Sequence, residues 1–248
     1  LDIMHQEARP FGLEINWSKT KIQTTVDFPV THQVQVAGNA VDIVDCFTYL
    51  GSLVDRNGRS EPEVARRIAI TRNCMAALDR NIWRSSISVS TKIRLYSLYV
   101  LPVLLYGSET WTMTKATSAK VDAFDMWCQR RILRIHYRQH VTNTEVRRRT
   151  GCPPLSDTIR SRRLRLFGHV ARAGSEMDHC RALRAAIHGP PRDWRRRKGR
   201  PAHTWTRTVE ADLKSANIGL FSAWHRAQDR AAWSGLVRTA TPQPGVRS

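Results

Sequence analysis

The chain has 248 residues, 41% of them hydrophobic and 25% charged, a balance that suits a folded protein with a real core and excludes wholesale disorder. Forty Lys and Arg against 21 Asp and Glu leave a formal charge of +19, a self-repulsion that a polyanion relieves, so RNA or DNA is the expected partner. No run approaches the roughly 18 apolar residues that span a bilayer, no lipidation signal accompanies a basic helix, and the odd, singly placed Cys46, Cys74, Cys128, Cys152 and Cys180 fit a reducing intracellular compartment without disulfides.

Residues 1–58 alternate in the manner of strands. Leu13 and Ile15, Ile22, Val34 and Val36, then Val41 and Ile43 after a Gly38-Asn39 turn, predict two small antiparallel hairpins. Phe47, Tyr49, Leu50, Leu53 and Val54 extend the strand pattern until the turn chemistry of Asp55-Arg56-Asn57-Gly58 ends it.

From Ser60 the period becomes helical. Ser60 and Glu63 have capping-box spacing, and Val64, Ile68, Met75, Leu78 and Ile82 follow as one apolar stripe. A second helix is predicted from Ser90 or Thr91 to Leu105, kinked by Pro102, which has no N–H for the ladder, and ended by Gly107. A third is predicted over 118–137, with Val121, Phe124, Cys128 and Ile135 on one side and Lys120, Arg131, Arg134 and Arg138 on another.

Thr142 with Glu145 marks a further cap, and Gly151 before Cys152-Pro153-Pro154 marks the stop of that short helix. Ser156 is expected to cap the next helix, to about Ala173, with Ile159, Leu166, Phe167 and Val170 inward and Arg160 and Arg163 outward. Helices over 202–216 and 221–238 carry Trp205, Val209, Leu213, Trp224, Trp233 and Leu236 as a small core, and the Pro/Gly-containing tail 239–248 is expected to be disordered.

The charge is unevenly spread along this order. Between Arg130 and Arg172 the acids are Glu145 and Asp157 alone, an imbalance that marks an electrostatic footprint. Arg131, Arg134 and Arg138, three and four apart, would share a helix face and could follow a phosphate backbone. A charge run is ordinarily a solvated face, and the near absence of acids tips the reading toward anion binding. A second footprint is the Gly/Pro-bounded loop holding Trp194, Arg195, Arg196, Arg197, Lys198 and Arg200, readable as a single-strand clamp or as a nuclear localisation signal.

Several stretches resemble a known family. The run Gly12-Leu13-Glu14-Ile15-Asn16-Trp17-Ser18-Lys19-Thr20-Lys21 and the later Phe47-Thr48-Tyr49-Leu50-Gly51-Ser52 look like the end of the palm in reverse transcriptases of non-LTR (LINE-type) retrotransposons. IRLYSLYVLPVLLYGSETW (93–111) looks like the start of the same family's thumb; LRLFGHVAR (164–172), GRPAHTWTRTVEADL (199–213) and AQDRAAWSGLV (227–237) follow in the family's order. The resemblance implies an α+β, mainly α architecture. It would comprise a palm-end remnant over 1–58 with a primer-grip-like hairpin, a helical thumb over 59–138, a basic helical connection over 139–188 and a C-terminal helical unit over 189–238. It also implies a role for Lys19 and Lys21 beside an incoming nucleotide, and for Tyr49 and Gly51 in holding a primer end. Solvated lysines and a core tyrosine are the plain alternatives.

Palm polymerases need two metal ions held by carboxylates, and no Tyr-x-Asp-Asp or other adjacent aspartate pair occurs. No cofactor is therefore expected of this chain, and magnesium would belong to a palm segment that the resemblance places upstream, itself a candidate partner. The sequence-level conclusion is an inactive, nucleic-acid-binding C-terminal portion of a reverse transcriptase, nuclear where it is made. Opening on Leu1 rather than Met suggests a truncated frame, and a decayed remnant without activity is the alternative. Scattered Cys152, His169, His179, Cys180 and His188 lack zinc-site spacing. Trp111, Trp127, Trp205, Trp224 and Trp233 are read as core.

Overall fold

The computed structural model describes residues 2–24, 33–36, 38–189 and 203–240. The chain divides into two compact units, Leu1–Glu63 and Val64–Ser248, and the architecture is α+β with helices predominating.

In the first unit, α1 (Asp2–Ala8) is followed by β1 (Lys21–Ile22), β2 (Gln33–Val36), β3 (Asn39–Ile43), β4 (Cys46–Tyr49) and β5 (Ser52–Asp55). The β2–β3 hairpin forms around Gly38 as the pattern predicts, with Val34 opposite Val41. The first hairpin does not: Leu13 and Ile15 lie outside any strand, and β1 runs parallel to β3, with Lys21 opposite Asp42. The 12–20 segment is instead tied into a turn by Asn16, whose Oδ1 accepts from Lys19 N at 3.1 Å and Ser18 Oγ at 2.7 Å. That is the local side-chain bonding by which Asn competes with ladders. The 47–54 run is not one strand but the β4–β5 hairpin, reversed at Leu50 and Gly51 with φ of 46° and 78°. Glu63, expected in a capping box, turns its carboxylate to that hairpin and accepts from Leu53 N at 3.0 Å.

In the second unit, α2 (Glu61–Ala77, begun in the first) leads through a π turn, Asp79–Trp83, to α3 (Val89–Leu95), a second π turn, Tyr96–Val100, and α4 (Leu101–Leu104). The cap of α3 is Ser88, two residues before the expected start, whose hydroxyl accepts from Thr91 N. Pro102 is accommodated by the second π turn: its ring crowds the carbonyl a turn back, and the wider turn relieves that crowding.

Then come α5 (Lys115–Ile132), α6 (Asn143–Thr150), α7 (Leu155–Ala171), α8 (Asp178–His188), α9 (Trp205–Leu213), α10 (Leu220–Ala227) and α11 (Arg230–Ala240). Thr142 caps α6 through Glu145 N at 3.2 Å, and Gly151 ends it with a φ of 68°, as expected. Ser156 does not cap α7. It sits inside the first turn, where its N and Oγ both donate to Asp122, at 2.9 and 2.7 Å. The single C-terminal helix expected over 221–238 is two, because Asp229 accepts from Ala231 N and Ala232 N and restarts the helix, which then runs through Thr239 and Ala240.

Two apolar clusters hold this unit, and α7 serves both. Leu155 and Ile159 join Trp83, Tyr96, Leu104, Trp111 and Phe124 in the first; Leu164 and Phe167 join Leu183, Val209, Leu213 and Trp233 in the second. The expected C-terminal core thus includes half of α7. Where α7 crosses α11, Gly168 meets the Trp233 ring, whose Nε1 donates to Leu164 O at 2.9 Å.

Candidate nucleic-acid interface

The C-terminal end of α5 builds the site. The helix was expected to reach residue 137, but it stops at Ile132 in a Schellman-type reversal: Ile135 N donates to Arg130 O at 2.9 Å, and Arg134 takes a φ of 55°. A non-glycine residue in that conformation costs about 1–2 kcal/mol. The arginine side chain offsets it by donating to the Arg84 and Ser85 carbonyls. Lys92, buried, bonds the neighbouring Trp83 and Ser85 carbonyls at 3.0 and 2.8 Å. Its burial pulls its pKa below the ordinary lysine value, and the charge of Arg134 adds to that shift.

The early stop replaces the expected stripe on one face with a groove. Arg138 lies in a separate 3-10 turn, Tyr137–Gln139, so it does not share a helix face with Arg131 and Arg134. The groove is half-open, with a volume of about 850 Å³, and Arg84, Arg130, Arg131 and Arg134 line it with Trp127 and Tyr137. Asp79 is the one carboxylate among its lining residues. It is delivered by the π turn and bonded by Arg131 at 2.7 Å and Arg84 at 2.8 Å. The Arg131 hydrogen bond holds the Asp79 carboxyl below its ordinary pKa, against the opposite pull of its burial.

Arg131 and Arg84 therefore spend part of their charge internally. Arg130 and Arg134 do not. Arg130 donates to Val141 O and Asn143 Oδ1, both at 2.8 Å, and Arg134 to carbonyls, all of them neutral acceptors. A guanidinium carries five donors, so each is held in place with charge and donors left for an anion.

The aromatic members differ in kind. Trp127, expected in the core, is 38% exposed. Its ring stacks on Phe124 at 5.7 Å, with the Arg131 and Arg72 guanidiniums 5.6 and 5.9 Å from its centre. Tyr137 is 81% exposed. Trp111 and Trp233 are buried as expected, and Trp205 and Trp224 partly so.

The other sequence candidates lie elsewhere. Arg163, expected to point outward, is buried at 3% exposure, its guanidinium on Asp212 at 2.7 Å and Trp111 O at 3.1 Å. Arg160 stands 3.5 Å from the same carboxylate. In the first unit, Lys21 is paired with Asp42 at 2.6 Å, Lys19 is exposed, and Tyr49 is 62% exposed at the hairpin end beside Gly51. Arg195, Arg196, Arg197, Lys198 and Arg200 lie outside the described residues, as does Trp194. Sequence reasoning missed Arg84, Arg130, Asp79 and Tyr137 as site residues. An exposed aromatic beside the arginine run was the one signal for them, because Asp79 and Arg131 are brought together only by the tertiary fold.

Among the described residues no group of three or more His, Cys, Asp or Glu side chains is placed to hold a metal ion. None of the described helices is long and apolar enough to cross a membrane. Comparison with known proteins gives an uncharacterized transposon-derived protein of Caenorhabditis elegans, 27% identical over 248 residues, which cover 95% of this chain and 86% of the relative. No family model matches the chain, and no solved structure does.

Proposed function

We propose that this chain is a nucleic-acid-binding portion of a non-LTR retrotransposon reverse transcriptase, corresponding to the palm end, thumb and C-terminal region, and that its second unit holds RNA or DNA through the groove at the end of α5. The observation that carries the binding reading is the groove itself: four guanidiniums against one carboxylate, two of them bonded only to neutral oxygens, with an exposed aromatic beside them. Cations that track phosphates interleaved with aromatics that stack on bases are what single strands and their junctions need. The transposon-derived relative and the ordered resemblance of six segments support the retrotransposon origin. Without an adjacent aspartate pair in the sequence, the role proposed is holding template or primer rather than nucleotidyl transfer.

Ultraviolet cross-linking of the full chain to a labelled oligonucleotide, followed by peptide mapping, tests the location. Adducts on the peptide spanning 127–141 are expected. Adducts confined to other segments would move the site, and cross-linking no stronger than that of a neutral polymer would remove it.

A further inference from the structure

The groove's shape selects among nucleic acids. We infer that it takes one unpaired nucleotide, base on the Tyr137 ring and flanking phosphates on Arg130 and Arg134, and that its ligand is therefore single-stranded RNA or DNA rather than a duplex. This rests on the nucleic-acid reading above and narrows it.

Three observations carry it. First, the cations line a concavity. Proteins that read B-DNA through its major groove do so with a helix or ribbon that enters a groove about 12 Å wide, whereas the arginines here line a concavity. This half-open groove of about 850 Å³ falls within the roughly 300–1,000 Å³ typical of small-molecule pockets.

Second, the aromatic platform is open. The Trp127 ring is already occupied by Phe124 and two guanidiniums. Tyr137, by contrast, meets Arg138 at its hydroxyl: Arg138 Nε lies 3.3 Å from the phenolic oxygen, and its guanidinium carbon 5.8 Å from the ring centre. That single cation lies over one side of the ring, and at 81% exposure the residue keeps its other face open for stacking. Only a base out of the double-helical stack offers a π face to it.

Third, the phosphate donors are preset. Arg130 is fixed to the Val141–Asn143 segment and Arg134 to the Arg84–Ser85 carbonyls. The groove therefore does not need to order these long side chains when a strand arrives, a saving that favours a short strand making few contacts.

The test uses the full chain, with oligo(dT) and oligo(rU) of about 12 nucleotides, a blunt DNA duplex of equal length, and the variants Tyr137→Ala and Tyr137→Trp. Fluorescence anisotropy at one fixed salt concentration should give tighter binding of one or both single strands than of the duplex. The same measurement should show a loss of about tenfold or more in single-strand affinity for Tyr137→Ala, recovery in Tyr137→Trp, and no change for the duplex. The two homopolymers separate an RNA site from a DNA site. A duplex bound as tightly as the single strands, or a Tyr137→Ala variant within twofold of the parent on both of them, overturns the inference while leaving nucleic-acid binding intact. Binding to none of the three at low salt removes the reading beneath it as well.

Discussion

A β-carbon placed on Gly168 would stand 2.2 Å from Nε1 of Trp233, the indole that donates to Leu164 O at 2.9 Å. The segments 164–172 and 227–237 are thus fitted to each other by a missing side chain. In an open helix Gly→Ala stabilises by about 1 kcal/mol. Here Trp233 is 3% exposed and has nowhere to move, so overpacking and a lost buried hydrogen bond should dominate. Gly168→Ala is expected to lower unfolding free energy by about 2–4 kcal/mol in urea denaturation; a neutral or stabilised variant would mean that the α7–α11 crossing is looser than described.

The buried pair of Arg163 and Asp212 acts on stability. Its guanidinium is out of solvent, and breaking a buried pair costs about 3–5 kcal/mol because a charge is left behind. Arg160, 3.5 Å from Asp212, takes up part of that charge, so Arg163→Ala should cost about 3 kcal/mol. At temperatures where the variant remains folded, its oligonucleotide affinity should equal that of the parent. A variant of parental stability with reduced affinity would place Arg163 in the interface instead.

Asp125 makes the fold sensitive to pH. It is 2% exposed, accepts from Tyr96 Oη at 2.8 Å and Gln129 Nε2 at 2.7 Å, and burial pushes its carboxyl up to about 6, against the help of those two donors. Asp122 adds to the rise and Arg147 opposes it. The folded state therefore holds this proton more tightly than the unfolded chain does. The sign follows: the stabilisation is complete below the unfolded carboxyl value and is lost as pH rises through about 6. Asp125→Asn should flatten that fall in a plot of denaturation midpoint against pH, and a slope that survives the substitution would assign it to another group.

In the β4–β5 hairpin, Leu50 holds a φ of 46° at 74% exposure, followed by Gly51 at 78°. Both central residues of such a turn need positive φ, for which Asn-Gly is the preferred pair. Leu50→Asn should stabilise the first unit by about 1 kcal/mol, measured by amide exchange of the hairpin. A loss of protection would show that the exposed leucine is held by contacts the turn depends on.

What the sequence made legible was what is local. Thr142 and Gly151 bound α6 because a hydroxyl and a glycine act within one turn of where they stand. The Gly38 hairpin followed from alternation on both sides of it. The end of α5 was not legible, since Arg134 occupies a position where a glycine would have announced the stop, and the carbonyls that hold it there are 49 and 50 residues away in sequence. Arg163 was half legible: it falls four residues after Ile159 and four before Phe167, on the apolar stripe itself, and an arginine at such a position signals a buried partner rather than an outward face. The footprint between Arg130 and Arg172 is only partly offset in the fold, which brings Asp79 to Arg131 and Asp212 to Arg163.

The measurement closest to the central claim is the dependence of single-strand binding on salt, for the parent chain and for Arg134→Gly. Glycine keeps the left-handed cap that ends α5 and removes only the guanidinium, and Lys92 still holds Ser85 O. The expected result is a linear fall of log affinity with log salt in the parent and a slope shallower by about 1 in the variant, one phosphate contact fewer. Equal slopes for the two, with the variant folded, or binding indifferent to salt, would contradict the assignment of this groove as the seat of nucleic-acid binding.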